Sequence, residues 1–512
     1  ALADAGVDYA LVQQAYVGYV YGDSTCGQAA VYGVGLTGIP VVNVNNNCAT
    51  GSTALFLARQ AVESGAVDCA IALGFEQMVP GALKGAYTDR TGPMDRFAKT
   101  MIQVQGFDEA APRAAQFFGG AGRAYMKEYG ISREVFARIR VKASQHAARN
   151  PLAVFRNVVS VDEVMASPMI FDPLTRLQCC PPTCGAAAAI VCSEAFAKKH
   201  GLRTDVVIAA QSMTTDRNST FDEGDMRKVV GYDMTRNAAN IVYEKAGVGP
   251  QDIQVVELHD CFTANELITY EGLMLTPEGT AEKFILDGDN TYGGRVVTNP
   301  SGGLLSKGHP LGATGLAQCF ELTRQLRGTA DATQVDGARF ALQHNLGLGG
   351  ACVVTLYHAS DQGAARMIDK SHIGAVVSSH TQLVEAGRLR FFAKATGQAD
   401  PRYSDETAAR DAGYPGLPVP PTFLFCLDME AGGSGSVLKR LNIDLGRILH
   451  AEQGFTYHRM AFAGERLSFE TKIVDIYDKK GGALEFVVRE TRVTNGDGEL
   501  VAELRNSLVV RN

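Results

Sequence analysis

The stretch NNNCATGSTALFLARQ (residues 45–60) has a counterpart in SKGHPLGATGLAQCFELTRQ (residues 306–325). Each stretch passes a reactive residue, Cys48 in the first and His309 in the second, and continues through Ala-Thr-Gly into an apolar, helix-like segment. A strand–loop–helix unit that presents a cysteine once and a histidine once can build a nucleophilic site from two halves of one fold. The repeat therefore predicts a duplicated fold that forms an acyl intermediate on Cys48.

Helices and strands are predicted to alternate around both stretches. The predicted helices cover residues 3–14, 50–64, 237–246 and 313–327, and the predicted strands cover residues 15–19, 41–45, 68–74, 255–258 and 338–343. This alternation favours a layered α/β fold with mostly parallel sheets. Residues 80–169 lack regularly spaced strand patterns. We predict an inserted lid or loop domain there, with a helix over 133–150.

The same patterns divide the chain into segments. We place the first half at residues 1–230, the second half at 231–357, a polar linker at 358–370 and a separate domain at 371–512. That last domain has a helix-like stretch over 422–430 and strand patterns over 454–459, 466–477, 484–494 and 500–510. An antiparallel sheet wrapped on a helix, an α+β arrangement, is its predicted architecture.

Composition excludes several classes of protein. The 512 residues carry a formal charge of −7, which offers no basic face for nucleic acid, and no apolar run is long enough for a membrane span. The 11 cysteines are scattered, which fits reduced thiols and a cytoplasmic location better than a disulfide framework. The cluster of Cys179, Cys180 and Cys184 lacks a second ligand pair at zinc-finger spacing, so we expect no metal site.

The residues around Cys48 and His309 suit nucleophilic chemistry. Cys48 follows three asparagines and precedes a helix, whose N-terminal amides and dipole are expected to lower the pKa of the thiol. His309 lies between a glycine and a proline, where it could take the proton of Cys48 or polarise a thioester carbonyl.

Two further strand ends carry candidate residues. His259 and Cys261 follow a buried strand, and one of them is needed as a second acid or base if a carbon atom is deprotonated. His344 precedes a glycine-rich turn, in which the amides around Gly347 and Gly349 could form an oxyanion hole.

The sequences of these loops resemble those of a known protein family. NNNCATGS, ELHDCF, NPSGGLLSKGHPLGATG and QHNLGLGG resemble the four active-site loops of the thiolase superfamily, in particular the sterol-carrier-protein-type thiolases. The likeness extends over about residues 1–357 and includes GDSTCGQ, ALGFEQM, LQCCPPT and DNTYGG. It implies a duplicated thiolase fold of α-β-α-β-α layers, a homodimer or larger assembly, and cleavage of a 3-oxoacyl-CoA by CoA, or the reverse condensation.

The resemblance also implies roles for individual residues. Cys48 would be acylated, His309 would activate it, His259 would help to hold an oxyanion-hole water, and Cys261 would be the second acid/base, with His344 in support. Ser301, Gly302 and Gly303 would line the CoA path. CoA and acyl-CoA would be substrates, with no bound cofactor. The family normally has a strand upstream of the first helix, which this sequence lacks, and we expect its loss to be destabilising.

Residues 388–425 resemble the N-terminal dehydratase-type domain of the MaoC-like hot-dog family, as in FAS1-like dehydratases. Active hydratases of that group carry an Asp and a His, where this chain has Gln398 and Tyr403. Since Gln cannot act as a general base, we predict a hot-dog domain without its own hydratase dyad. It would bind the acyl chain, dimerise or pair with a catalytic hot-dog hydratase partner.

Two other functions compete with the thiolase interpretation. Some sterol-carrier-type relatives are lyases that cleave the side chain of a 3-hydroxyacyl-CoA by retro-aldol chemistry, but those relatives tend to lack the nucleophilic cysteine. A non-catalytic acyl-CoA-binding scaffold is the third interpretation. The presence of Cys48 together with His259 and His309 favours the thiolase.

Overall fold

Short apolar strands and amphipathic helices alternate through the first unit of a computed structural model of the chain. The structure describes residues 1–81, 87, 89–360, 368–430, 437–438, 440–441, 443, 448–479 and 484–511. The chain divides into two compact units, Ala1–Ser360 and Asp361–Asn512. The predicted linker lies partly on residues 361–367, which are outside the described residues.

The first unit contains two main sheets and a small hairpin. Its strands are β1 (Gln14–Gly18), β2 (Val41–Val44), β3 (Cys69–Glu76), β4 (Met169–Phe171), β5 (Leu174–Thr175), β6 (Gly185–Cys192), β7 (Val206–Thr214), β8 (Val255–Glu257), β9 (Val297–Thr298), β10 (Phe340–Gly347) and β11 (Ala351–Ala359). The first sheet has the order β2-β1-β3-β6 and the second has the order β7-β11-β10-β8-β9.

The helices of this unit lie between and outside the sheets. They are α1 (Leu2–Ala5), α2 (Cys26–Tyr32), α3 (Thr50–Glu63), α4 (Asp95–Gln105), α5 (Arg113–Tyr129), α6 (Glu134–Ala148), α7 (Val161–Ala166), α8 (Glu194–His200), α9 (Ser219–Asp222), α10 (Met226–Val229), α11 (Tyr232–Ala246), α12 (Thr263–Gly272), α13 (Ala281–Leu286), α14 (Gly303–Ser306) and α15 (Thr314–Arg327). Helix α2 packs on the first sheet, α11 packs on the second, and α3 and α15 contact both sheets. The predicted layered α/β architecture is confirmed.

The two Ala-Thr-Gly segments meet where α3 and α15 begin. A Cβ atom on Gly315 would lie 2.2 Å from Ser52 Oγ and 2.3 Å from Ser52 N, and one on Gly51 would lie 2.8 Å from the carbonyl oxygen of Gly312. Only glycine allows the two helices to approach this closely. The repeated glycines therefore bring together the two loops that precede the helices.

The second unit is an antiparallel sheet packed on a helix. Its strands are β12 (Val376–Leu383), β13 (Ile448–Tyr457), β14 (Arg466–Lys479), β15 (Leu484–Thr494) and β16 (Leu500–Arg511), in the order β12-β14-β15-β16-β13, and its helices include α16 (Ala386–Ala395), α17 (Glu406–Asp411) and α18 (Phe423–Glu430). Strand β14 alternates buried and exposed residues, as a half-buried strand does. Phe423, Leu424 and Leu427 of α18 belong to the core that includes Phe469 and Val493.

Three details differ from the sequence-based expectations. The predicted helix over 3–14 ends at Ala5, because Gly6 is left-handed (φ 69°) and a separate short turn follows at Tyr9–Leu11. Both sheets are mixed rather than mostly parallel, since β3 pairs with β6, and β11 with β10 and β7, in antiparallel fashion. The predicted lid or loop segment consists largely of the helices α4 to α7, of which α4, α5 and α6 contribute apolar residues to the main core cluster.

We expect Gly315→Ala to destabilise the first unit by about 1–3 kcal/mol, because the added methyl group collides with the backbone of Ser52. Gly33→Ala is the matched control, since Gly33 has right-handed φ and a Cβ atom on it would lie 3.3 Å from its nearest neighbour, the carbonyl oxygen of Ala30. That change should alter the free energy of unfolding by less than about 1 kcal/mol. Equal effects of the two changes in urea unfolding would contradict the proposed close approach.

Candidate active site

Cys48 lies in the tight loop between β2 and α3. Asn47 has a left-handed φ of 51°, which turns the chain so that the backbone N–H and the hydroxyl of Thr50 both donate to the Asn47 carbonyl, at 3.1 and 2.6 Å. Cys48 is half-buried, and its Sγ atom is 3.6 Å from Asn47 Oδ1. The loop therefore presents the thiol at the start of the helix.

His309 occupies the matching loop before α15. The hydroxyl of Thr314 donates to the carbonyl of Pro310 at 3.0 Å, so it accepts the hydrogen bond from His309 Nδ1, at 2.8 Å. The proton of the neutral ring is therefore on Nδ1, and the lone pair is on Nε2. The Nε2 atom is buried and has no hydrogen-bond partner among the described residues. Cys48 Sγ and one ring nitrogen each of His309 and His259 lie within 4.8 Å of one another.

His259 faces His309 almost at a right angle, with ring centroids 5.1 Å apart. The side-chain amide nitrogen of Asn345 is 3.2 Å from His259 Nδ1 and donates to it, which leaves the ring proton on Nε2. His259 thus presents a donor to the site, and His309 presents an acceptor. Asn345 was not predicted from the sequence, although it lies next to His344 on β10.

Burial sets the protonation states of these groups. It raises the pKa of Cys48 to about 12, with a smaller contribution from the negative charge of Glu76, and it lowers the pKa of His309 to about 3. The pKa of His259 is also lowered, by burial first and then by the neighbouring histidines. The expectation that the helix lowers the pKa of Cys48 is wrong, because loss of solvent outweighs the effect of the backbone amides. At neutral pH the thiol and the imidazoles are uncharged.

Glu76 joins the two halves beside the site and was missed in the sequence. Its buried carboxylate accepts hydrogen bonds from the backbone amides of Tyr21 (2.9 Å), Val20 (3.2 Å) and Gly312 (2.9 Å). Gly312 belongs to the loop of His309, and β3 supplies Glu76, so this carboxylate ties that loop to the first sheet.

Cys261 is buried close to Cys180 and Cys48, whose charge would act on its thiol. Burial raises its pKa well above the ordinary value, and charge on Cys180, Cys48 or Asp260 would raise it further. The backbone N–H of Cys180 donates to the Cys261 carbonyl at 2.9 Å, and Pro182 pairs with His309 as an isolated bridge. Residues 179–183, which belong to the LQCCPPT motif of the predicted resemblance, therefore contact the active-site loops.

His344 is fixed by two neighbours. Its Nε2 atom is 3.0 Å from Thr235 Oγ1, and its Nδ1 atom accepts from the backbone N–H of His259 at 3.4 Å. Since both ring nitrogens are engaged and the ring is fully buried, His344 supports the position of His259 and has no free nitrogen for proton transfer.

The predicted glycine and serine positions serve close packing. A Cβ atom on Gly347 would lie 2.2 Å from the Asn46 carbonyl oxygen, and Gly349 has a left-handed φ of 102°. Ser301 is fully buried, and its hydroxyl donates to Glu257 at 2.8 Å. Cβ atoms on Gly302 and Gly303 would collide with Ala147 and Asp260. Oxyanion and CoA contacts of these residues stay predictions.

Family models match both units. Residues 1–195 match the thiolase N-terminal domain, residues 216–357 match a thiolase C-terminal domain-like model, and residues 371–504 match a FAS1-like dehydratase domain region. The chain belongs to the thiolase family and is an acyltransferase. The resemblance is to the N-terminal domain of a dehydratase, but in this chain the dehydratase-type region lies C-terminal to the thiolase region.

Individual relatives agree with this assignment. Sterol carrier protein 2 of Gallus gallus is 58% identical over 367 residues, which cover 71% of this chain and 67% of the relative; the Homo sapiens protein is 56% identical over 381 residues, covering 74% and 70%. Acetyl-CoA acetyltransferase of Methanothermobacter thermautotrophicus is 36% identical over 366 residues, covering 70% and 91%.

The solved structures of two proteins share the fold. Human mitochondrial 3-ketoacyl-CoA thiolase gives a TM-score of 0.51 at 17% identity, covering 70% of this chain and 90% of that one. An Ltp2-ChsH2(DUF35) aldolase gives a TM-score of 0.60 at 24% identity, covering 71% and 91%. At these identities the comparison establishes the thiolase fold, as predicted, and carries no argument about the reaction.

We expect Thr314→Val to slow acyl transfer by about 10–100-fold, because His309 loses the acceptor that holds the proton on Nδ1. The matched control is Thr396→Val, since Thr396 also donates to the carbonyl four residues earlier, at 2.8 Å, but lies in the second unit. The measurement is steady-state acetyl transfer with both variants shown to be folded. Unchanged turnover in Thr314→Val would contradict the assigned tautomer.

Proposed function

We propose that this chain transfers an acyl group between a 3-oxoacyl-CoA and CoA through a thioester on Cys48. The observation that carries the proposal is the cluster of Cys48 Sγ with one nitrogen each of His309 and His259, all within 4.8 Å. One histidine offers a free acceptor and the other offers a free donor, which are the two functions that a thiol nucleophile needs.

The first half of the reaction forms the acyl enzyme. His309 Nε2 takes the proton of Cys48, and the thiolate attacks C3 of the 3-oxoacyl-CoA. The C2–C3 bond then breaks, the acyl group stays on Cys48, and the released enolate of acetyl-CoA takes a proton at C2 from Cys261. The Nε2–H of His259, directly or through water, stabilises the thioester oxygen of the departing acetyl-CoA, which gains negative charge as the enolate forms.

The second half restores the enzyme. The Cys261 thiolate takes the proton of the incoming CoA, and the CoA thiolate attacks the thioester on Cys48. Cys48 leaves as a thiolate and recovers its proton from His309. Because the resting thiol and imidazole are both uncharged, no ion pair has to be desolvated before the substrate arrives. The same residues serve cleavage and condensation.

The retro-aldol alternative is disfavoured by the position of Cys48. A retro-aldol lyase needs a base for the 3-hydroxyl group and an acid for the enolate, but it uses no thiol nucleophile. Here the thiol lies among the histidines, and the relatives at 36–58% identity include an acetyl-CoA acetyltransferase. A non-catalytic scaffold would not require this arrangement of donor and acceptor.

For the second unit we propose binding of an acyl chain without hydration. A cavity of about 350 Å³ is lined by six apolar residues and by four polar ones, Tyr403, Tyr457, His458 and Arg459. Tyr403 is the residue predicted to replace the family's histidine. Gln398 is exposed, and its side-chain oxygen accepts from the backbone N–H of Asp400 at 3.1 Å. A separate hot-dog hydratase partner would then supply the missing acid–base groups.

We further propose a homodimer that works in a reducing, cytoplasmic setting. Strand β2 lies at the edge of the first sheet, and its Val42 is 39% exposed, although parallel sheets are normally covered on both faces. Tyr32, at the end of α2, and Val34 and Leu36, between α2 and β2, are 55–78% exposed large apolar residues. All eleven cysteines are free thiols. Among the residues that the structure describes, no helix has the length and apolar character to cross a membrane.

Cys261→Ala tests the proposed division of roles. The variant should lose about 100–10,000-fold in cleavage of 3-oxoacyl-CoA, because no group protonates the enolate. It should still take an acetyl group from acetyl-CoA onto Cys48, but more slowly, because Cys261 also protonates the departing CoA, which can leave without that help as a thiolate. Cys69→Ala, a buried cysteine on β3, is the control and should keep both activities. Complete loss of acylation together with cleavage in Cys261→Ala would refute the assignment.

A further inference from the structure

We propose that Cys48, His259 and His309 also form a binding site for Zn²⁺, and that the bound ion reversibly blocks acylation of Cys48. One sulfur and two imidazole nitrogens lie within 4.8 Å of one another. Tetrahedral zinc, with Zn–S of about 2.3 Å and Zn–N of about 2.0 Å, holds such atoms roughly 3.3–3.5 Å apart. Side-chain movements of about 1 Å therefore close the site around the ion.

His309 is already prepared as a ligand. Its Nδ1–H donates to Thr314 Oγ1 at 2.8 Å, and its Nε2 lone pair is buried without a partner in the described part of the chain. The side chain of His309 is 5% exposed. A hydroxyl that fixes the far nitrogen of a ligating histidine is the outer-shell support that zinc sites use.

His259 becomes a ligand through a turn of one amide. Asn345 donates from its nitrogen to His259 Nδ1, while its own oxygen Oδ1 is buried and has no partner among the described residues. Rotation of the amide by half a turn exchanges the two atoms, so that Oδ1 accepts a proton from Nδ1. The Nε2 atom of His259 is then free to bind the metal, and the unpartnered oxygen of Asn345 gains a hydrogen bond.

The chemistry of the donor set selects the cation. A thiolate with two imidazoles suits zinc and similar borderline ions, whereas magnesium and calcium prefer oxygen ligands. When the ion binds, Cys48 releases its proton to solvent, and no oxidation or reduction is involved. The resulting positive charge is compensated by the nearby carboxylate of Glu76, whose field already acts on Cys48. The fourth position stays open for water.

Zinc binding and acylation exclude each other, because both use Cys48 Sγ. This blocking effect rests on the proposed thiolase function, but the binding of the metal does not. The sequence-based expectation of no metal site considered only Cys179, Cys180 and Cys184. Within the described residues, the group around Cys48 is the one set of three side chains whose ligand atoms lie this close.

The test is titration of the full-length, metal-free chain with Co²⁺ and with Zn²⁺ in competition with a chromophoric chelator. We expect one ion per chain and a cobalt–thiolate charge-transfer absorption. In Cys48→Ala the absorption should vanish and the affinity for zinc should fall by more than about 100-fold. Cys184→Ala, which removes an exposed thiol, is the control and should bind like the natural chain.

His309→Gln is a second variant in case Cys48→Ala does not fold, and it should also lose the tight site. A cobalt spectrum without the thiolate absorption, or equal zinc affinity in Cys48→Ala and the natural chain, would overturn the proposal. Zinc should also stop acetyl transfer, and a chelator should restore it. Absence of acetyl transfer in metal-free protein would count against the thiolase function alone and would leave the cobalt titration unaffected.

Discussion

The close crossing of α3 and α15 is the constraint on which the active site depends. Gly51 and Gly315 remove the side chains that would hold the helices apart, and the N-terminal loops of the helices then lie against each other. One loop carries Cys48 and the other carries His309. A duplicated unit packed on itself in this way converts two unrelated-looking segments into one cysteine–histidine site. Glu76 reinforces the crossing by binding backbone amides of both halves.

Burial then determines the chemistry of the site. A thiol at a helix start in water would be acidified, but here the surrounding loops remove solvent and keep both the thiol and the imidazoles uncharged. Proton transfer from Cys48 to His309 therefore occurs during the reaction, and the resting enzyme holds no thiolate–imidazolium pair. The hydrogen bonds of Thr314 and Asn345 matter because they decide which nitrogen of each ring faces the thiol. A change in either bond would exchange a donor for an acceptor.

Much of this could be predicted from the sequence, for physical reasons. The repeated Ala-Thr-Gly identified the duplication and the pair of reactive residues, because close helix packing needs glycine in both copies. The long strands β14 and β15 were found because a half-buried strand alternates apolar and polar residues. Glu76 and Asn345 could not be found, since their roles arise from contacts between distant segments. Thr314 stood in the repeated Ala-Thr-Gly, but its hydrogen bond to His309, five residues away, depends on the folded loop. The antiparallel pairings and the raised pKa of Cys48 likewise depend on tertiary structure.

The central claim is that Cys48 carries the acyl group. The most direct test is mass spectrometry of the intact protein after incubation with acetyl-CoA, in parallel with Cys48→Ala. We predict one acetyl group per chain, located on Cys48 by peptide mapping and absent from the variant. Folded protein that takes up no acetyl group, or an adduct that persists in Cys48→Ala, would contradict the account.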